Sequence, residues 1–335
     1  MKKDIVWIEY LRAVACLMVI ILHLSANYLY SSSPQRYSWH AFNIINAAMR
    51  GCVPLFFMIS GYIFIKITDI SFRHFYRLGL CIIFYSVTCT IFLVWYKSYN
   101  SVTEMKRALF SPVIYHLWFF YALIPCYFFF LLYGGKKSSC SEISVKRFAV
   151  FLIAVFLLFT YNSDDQLKIM NISNPVTYKL NSEIALYIIY ALIGSELGEW
   201  NTKKIKNWQL ITLFLVSVLF IFVGTQILSE RKGWLDSTFY NYNTLLVSFS
   251  SIATFIFIKN NENLISGRVK EILIKIGSLS LPIYGLHAIL IVYFKDRILV
   301  NNNGLDFIIK LSIVILFSYF ISTVLKRLDK KSYIT

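Results

Sequence analysis

The stretch EYLRAVACLMVIILH, residues 9–23, sets an acid, an arginine and a histidine inside a run that otherwise reads as a membrane-spanning helix. From Ile5 to Tyr30 the chain is mostly Leu, Ile, Val, Ala and aromatic residues, long enough for the ~20 apolar residues that cross a bilayer. Arg12 and His23 are eleven positions apart. At about 100° per residue that is about 20° past three full turns, so both side chains leave one helix face about 16 Å apart along the axis. Glu9, three residues before Arg12, falls on the same side within ion-pair reach. An arginine this close to a helix start can snorkel to the headgroups. In register with an imidazole, however, ionisable groups at such depth normally face protein interior or water. The expectation is a functional cavity along this face.

The rest of the chain agrees with a membrane setting. It has 335 residues, 58% hydrophobic and 18% aromatic, with mean hydropathy +0.62, which excludes an ordinary soluble domain. Apolar runs at 5–30, 44–66, 78–97, 114–133, 148–162, 183–199, 209–228, 241–258, 276–295 and 305–325 predict an all-α, polytopic bundle of about ten transmembrane helices. Basic residues such as Lys2, Lys3, Arg73, Arg77, Lys136, Lys137, Lys203, Lys204, Arg268, Lys270, Lys326 and Arg327 fall in alternate loops, which predicts both termini in the cytoplasm. The net charge of +16 is dispersed along the chain rather than gathered in a patch, so no nucleic-acid partner is expected. The first helix carries Arg12 internally and shows no small-residue cleavage site, so it reads as a span rather than a signal peptide. The 163–182 loop is too short to fold alone, and residues 1–335 are expected to form a single transmembrane domain with no appended soluble one. Six cysteines without paired spacing suggest neither a disulfide framework nor a metal site. No GxSxG elbow, P-loop or GxGxxG occurs, which removes support for a serine hydrolase, a nucleotide hydrolase or a dinucleotide enzyme.

Four further stretches carry candidate chemistry. In VPLFFMISGYIF, residues 53–64, Pro54 can kink the helix, and Ser60 and Gly61 permit close packing and supply a hydroxyl next to Tyr62. In ISFRHFYRLGL, residues 70–80, Arg73 and Arg77 are four apart with aromatic residues between them, a geometry suited to gripping phosphates and stacking a planar base. The positive-inside rule accounts for the same arginines without any ligand. HLWFF, residues 116–120, sets His116 and Trp118 at the start of a span, where an aromatic belt is ordinary and a sugar platform is the functional alternative. In SLSLPIYGLHAILI, residues 278–291, Tyr284 and His287 are adjacent on one face. Glu183, at the start of NSEIALYIIYALIGSELGEW, residues 181–200, suits a helix N-terminus.

Together, the arginine and histidine separated by ten residues, PLFFMISGY, the arginine pair, HLWFF and the Tyr-x-x-His element resemble the membrane acyltransferase-3 family, including its surface-polysaccharide O-acetyltransferases such as those of the enterobacterial common antigen. Glu9 stands where the family more often has Asp, and the arginines here have three residues between them rather than two. The resemblance implies a multi-pass enzyme of the bacterial cytoplasmic (inner) membrane that moves an acetyl group from acetyl-CoA to a polysaccharide or lipid-linked sugar acceptor. On this reading Glu9, Arg12 and His23 are catalytic, with His23 as general base, and Arg12, Arg73 and Arg77 bind the acyl-CoA. Ser60, Tyr62, His116, Trp118, Tyr284 and His287 serve the acceptor or support the site. No metal is called for. The competing expectation is a transporter or flippase of glycolipid intermediates that uses the same intramembrane charges as a substrate path.

Overall fold

The apolar run that opens the chain is one unbroken helix, α1 (Val6–Ser31). In this computed structural model, residues 5–67, 70–97, 112–133, 180–295, 297–298 and 300–335 are described, and among them every regular element is helical. The candidate span at 148–162, Cys140 and the following loop as far as residue 179 lie outside the described residues. The other nine candidate spans all coincide with helix.

After α1 come α2 (Tyr37–Met49) and α3 (Cys52–Gly61), extended by a π-helical segment, Tyr62–Ile67. Next is α4 (Phe72–Lys97), and then α5 (Trp118–Tyr133), which is led in by a 3₁₀ turn at Tyr115–Leu117. They are followed by α6 (Leu180–Glu199), α7 (Asn207–Lys232), α8 (Leu245–Asn260), α9 (Gly267–Ser278), α10 (Ser280–Lys295) and α11 (Asn303–Leu328). Among the described residues six helical stretches are long and apolar enough to cross a membrane, and a seventh if α9 and α10 count as one bent span. The chain is a multi-pass membrane protein.

α1 is the central helix. It packs against α2, α3, α8, α9, α10 and α11, and Leu11, Ala13, Ala15 and Cys16 are enclosed on different sides of it. The outer helices show the opposite pattern. Leu215, Leu219 and Phe220 on α7, and Leu316, Phe317 and Phe320 on α11, are exposed, a surface that water would not tolerate and lipid covers.

Two breaks in the helices have the same cause. A proline has no N–H to offer the carbonyl four residues back, and its ring clashes with that carbonyl. Pro54 therefore frees the Arg50 carbonyl, and the helix from Tyr37 to Lys66 is interrupted at Arg50–Gly51. Pro282 frees the Ser278 carbonyl, which accepts a hydrogen bond from Lys326 Nζ at 3.1 Å instead. There the chain turns by 77° between α9 and α10. The span expected at 276–295 thus starts only at Ser280. α9, with exposed Val269 and Ile272 among Arg268, Lys270, Glu271 and Lys275, has the composition of a helix lying along the membrane surface.

α3 and α6 cross in close backbone contact. A β-carbon at Gly61 would collide with the backbone of Ala191, and one at Gly194 with the backbone of Met58, so two small residues bring the helix axes together. At one end of this crossing Lys66 Nζ bridges Glu196 at 3.1 Å and Glu199 at 3.2 Å. Gly61→Ala or Gly194→Ala should therefore push the helices apart at a cost of about 1–3 kcal/mol and lower the melting temperature of the detergent-purified protein. Gly79→Ala, where a β-carbon meets open space, should leave it unchanged or raise it. Equal melting of all three variants would remove the close crossing from the account.

Candidate functional site

The charged face of α1 opens on a cavity of about 260 Å³. Arg12 forms one wall, with its NH1 2.5 Å from Glu9 Oε1. Glu9 Oε2 is buried without a partner, pressed by the close approach of Gly277 of α9. Ser60 and Phe56 of α3, Arg77 and His74 of α4, Phe119 and Phe120 of α5, and Ser280 and Tyr284 of α10 are part of the lining. Two cations from different helices thus face one space. Arg73 does not share it: one turn nearer the start of α4, it is exposed and absent from the cavity wall. His74, which sequence spacing did not single out, takes a place there, with Nδ1 held by the Ser71 amide at 3.1 Å. Tyr62 is also outside the wall, packed on Trp7 with ring centroids 5.1 Å apart.

Segment 329–335 folds back over the mouth of this cavity. Arg77 donates to the Thr335 carbonyl oxygen, Tyr85 Oη to Ile334 O at 2.8 Å and Cys81 Sγ to Tyr333 O at 3.5 Å. Arg77 Nε stays buried and unpartnered. Asp329 organises the turn by accepting the Tyr333, Ile334 and Thr335 amides at 3.0, 2.8 and 3.0 Å.

The histidines form a second group. His23 stacks on His287 with centroids 5.5 Å apart and 25° between the planes, and it meets Tyr115 at 4.9 Å. His116 lies edge-on to His287 at 5.0 Å. His287 Nδ1 donates to Tyr284 O at 2.7 Å and His116 Nε2 to Gly285 O at 3.1 Å. A carbonyl only accepts, so these bonds fix both tautomers. In the neutral imidazoles the other nitrogens, His287 Nε2 and His116 Nδ1, carry the lone pairs, and both are buried without a partner among the described residues.

Tyr284 joins the two groups. Its ring lines the Arg12 cavity, its hydroxyl donates to His116 O, and it lies 5.8 Å from His116 and 5.6 Å from His287. Phe56, Phe119 and Phe120 surround it at 6.2, 5.5 and 5.6 Å. The cavity on the charged face of α1 therefore does not reach from Arg12 to His23. His23 is not part of the cavity wall, because aromatic side chains of α3, α5 and α10 meet between the two groups. Trp118 stands apart from the Arg12 cavity, 5.3 Å from Tyr187 and 6.4 Å from Tyr242.

Arg50 is a charged residue that none of the sequence motifs contains. Arg50 sits at the break that Pro54 causes, with its guanidinium 3.8 Å from the centroid of Tyr240 and a hydrogen bond to Asn46 Oδ1. Its position inside the 44–66 apolar run was the available signal, since an ionisable residue within a span is a functional candidate by default.

Asp329 gives the site a pH dependence. Burial, the largest single influence, raises its carboxyl. The Ile334 and Tyr333 amides and the Thr335 hydroxyl and amide together outweigh burial and hold the carboxyl below the usual range. The ionised form therefore favours the folded-back segment. That stabilisation is complete above the unfolded carboxylate value of ~3.9 and is lost as pH falls through the lower folded value. Hydrogen exchange of the 333–335 amides, corrected for intrinsic rate, should show protection at pH 7 that fades only below about pH 4. Asp329→Asn should lose that protection at pH 7. Protection that ignores both pH and this substitution would contradict the turn.

No curated protein and no solved structure matches the chain. A family model described as an acyltransferase domain matches residues 5–327, nearly the whole helical bundle together with Arg12, Arg77 and the histidine group. The chain belongs to the acyltransferase-3 family of membrane acyltransferases.

Proposed function

We propose that this protein transfers an acetyl group from acetyl-CoA to a hydroxyl of a surface polysaccharide or lipid-linked sugar, such as an O-antigen, capsule or common-antigen unit, in the bacterial inner membrane. The observation that carries the reading is the pair of guanidiniums, Arg12 and Arg77, converging on one cavity whose inner end is Tyr284, itself in ring contact with the histidine group. A nucleotide thioester is anionic at one end and apolar along its arm. Paired arginines suit the phosphates, and the aromatic lining of the cavity suits the arm.

On this reading the donor enters from the Arg12 side, its phosphates take the Arg77 N–H groups now engaged by Thr335, and the thioester passes Phe56 and Tyr284 as those rings shift. The acceptor arrives from the His23 side. His23 removes the hydroxyl proton, the oxygen attacks the thioester carbonyl, and the imidazolium returns the proton to the departing coenzyme A thiolate. Transfer is direct, without an acyl-enzyme. His287 and Tyr115, the rings against His23, hold the imidazole in place, and Glu9 orients Arg12 through their ion pair.

Two outcomes test this. With purified protein, labelled acetyl-CoA and a polysaccharide acceptor, His23→Ala should lower kcat by about 10²–10⁴ while the melting temperature is retained. Arg12→Ala and Arg77→Ala should each raise KM for acetyl-CoA by about 10-fold or more, and Arg73→Ala, outside the cavity, should change it little. Wild-type turnover in the His23 variant would remove it from the mechanism, and an Arg73 effect equal to that of Arg77 would displace the donor site. A protein that moves the acceptor across vesicles without consuming acetyl-CoA would be a transporter, not this enzyme.

A further inference from the structure

Arg50 is a cation at mid-depth in a membrane span, with no counter-ion among the described residues. The span runs from Tyr37 to Lys66, so Arg50 lies about 20 Å or more from either end. A guanidinium so placed needs an anion or a full set of acceptors. It has neither among the described residues. Its described contacts are one carbonyl oxygen, Asn46 Oδ1, and the face of Tyr240. Nε is buried and unpartnered, and no carboxylate stands within 4.0 Å among the described residues.

Both of its supports are themselves fixed. Asn46 Nδ2 donates to Leu22 O at 2.9 Å and Ser25 Oγ at 2.8 Å, which ties Arg50 to the turn of α1 that carries His23. Tyr240 Oη donates to Asn43 Oδ1 at 2.6 Å, which locks the ring under the guanidinium. A clamp between helices would need only a neutral amide at this position. A held guanidinium with unused donors is built to receive an anion. Tyr242, within reach of the Arg50 charge, is the ring on which Trp118 stacks, so an aromatic platform of the kind that carries sugars adjoins the cation.

We propose that Arg50 binds an anionic oxygen group, phosphate or carboxylate, on the acceptor sugar and so fixes the hydroxyl to be acylated next to His23. The inference rests on the reading of the His23 side as the acceptor side, and it narrows the acceptor to a negatively charged glycan: a sugar phosphate or a uronic acid. Neutral sugars meet an unsatisfied guanidinium and bind weakly.

The test is binding without any acyl donor, so it does not depend on transfer being observed. Affinities of the full chain in neutral detergent are measured for glucose 1-phosphate, methyl glucuronide and neutral methyl glucoside. The wild type should prefer the charged sugars by about tenfold or more, and inorganic phosphate should compete with them. Arg50→Gln should abolish that preference while leaving the neutral sugar unchanged, and Arg50→Lys should keep part of it. Equal wild-type binding of charged and neutral sugars, a preference that survives in Arg50→Gln, or no competition by phosphate would overturn the proposal. Should Arg50→Gln fail to fold, the wild-type competition and the Arg50→Lys variant still decide. Failure of the broader enzymatic reading would show separately, as no acetyl-CoA consumption by the wild type.

Discussion

A charge cannot face the hydrocarbon core of a bilayer, and this single constraint arranges the helices. α1 carries Glu9, Arg12 and His23 on a stretch that is otherwise apolar. Placed at the edge of the bundle, it would present a guanidinium or an imidazole to lipid at a cost of several kcal/mol. The stable solution is to surround it, and α2, α3, α8, α9, α10 and α11 do so. The neighbouring helices then supply what those groups require: the cavity wall for Arg12, the ring of His287 for His23. The peripheral helices α7 and α11 turn their Leu and Phe side chains outward.

The interior is divided in two along α1. Arg12 and Arg77 face the cavity at one level and His23, His116 and His287 meet at the other, with Tyr284 and the phenylalanines around it between them. For acyl transfer such a partition has a chemical use. For the thioester donor proposed above, an aromatic layer between the donor and acceptor sides would keep bulk solvent from the reacting atoms. The second polar network, Arg50 with Asn46, Ser25, Asn43 and Tyr240, belongs to the histidine level, so each level has its own cation.

How much of this could be read from the chain follows from the range of each interaction. Local facts were legible. The 3.6-residue period set Glu9 and Arg12 as an ion pair, nine of the apolar runs coincide with described helix, and Gly61 signalled a tight crossing. The prolines were visible too, but their effect was assigned only in part. Pro54 was expected to kink a helix, whereas the physical consequence, a break four residues earlier that positions Arg50, needed the carbonyl bookkeeping of the folded chain. Pro282 likewise moved the start of the ninth span. Contacts between distant segments were not legible. Nothing in the spacing of Arg73 and Arg77 says that the bundle edge falls between them, nor that Asp329 folds the following residues onto Arg77. The meeting of His23, His116 and His287 joins three helical segments far apart in sequence, and the aromatic layer that separates them from Arg12 is made by side chains that look like ordinary apolar filling.

The central claim is that a donor on the arginine side and an acceptor on the histidine side meet across the Tyr284 layer. The most direct measurement uses the protein reconstituted in one orientation in sealed vesicles, with labelled acetyl-CoA confined to the Arg12 side and a polysaccharide acceptor confined to the His23 side. Label should appear on the acceptor while coenzyme A remains in the donor compartment. Transfer only when both reactants share one compartment would contradict the two-sided account.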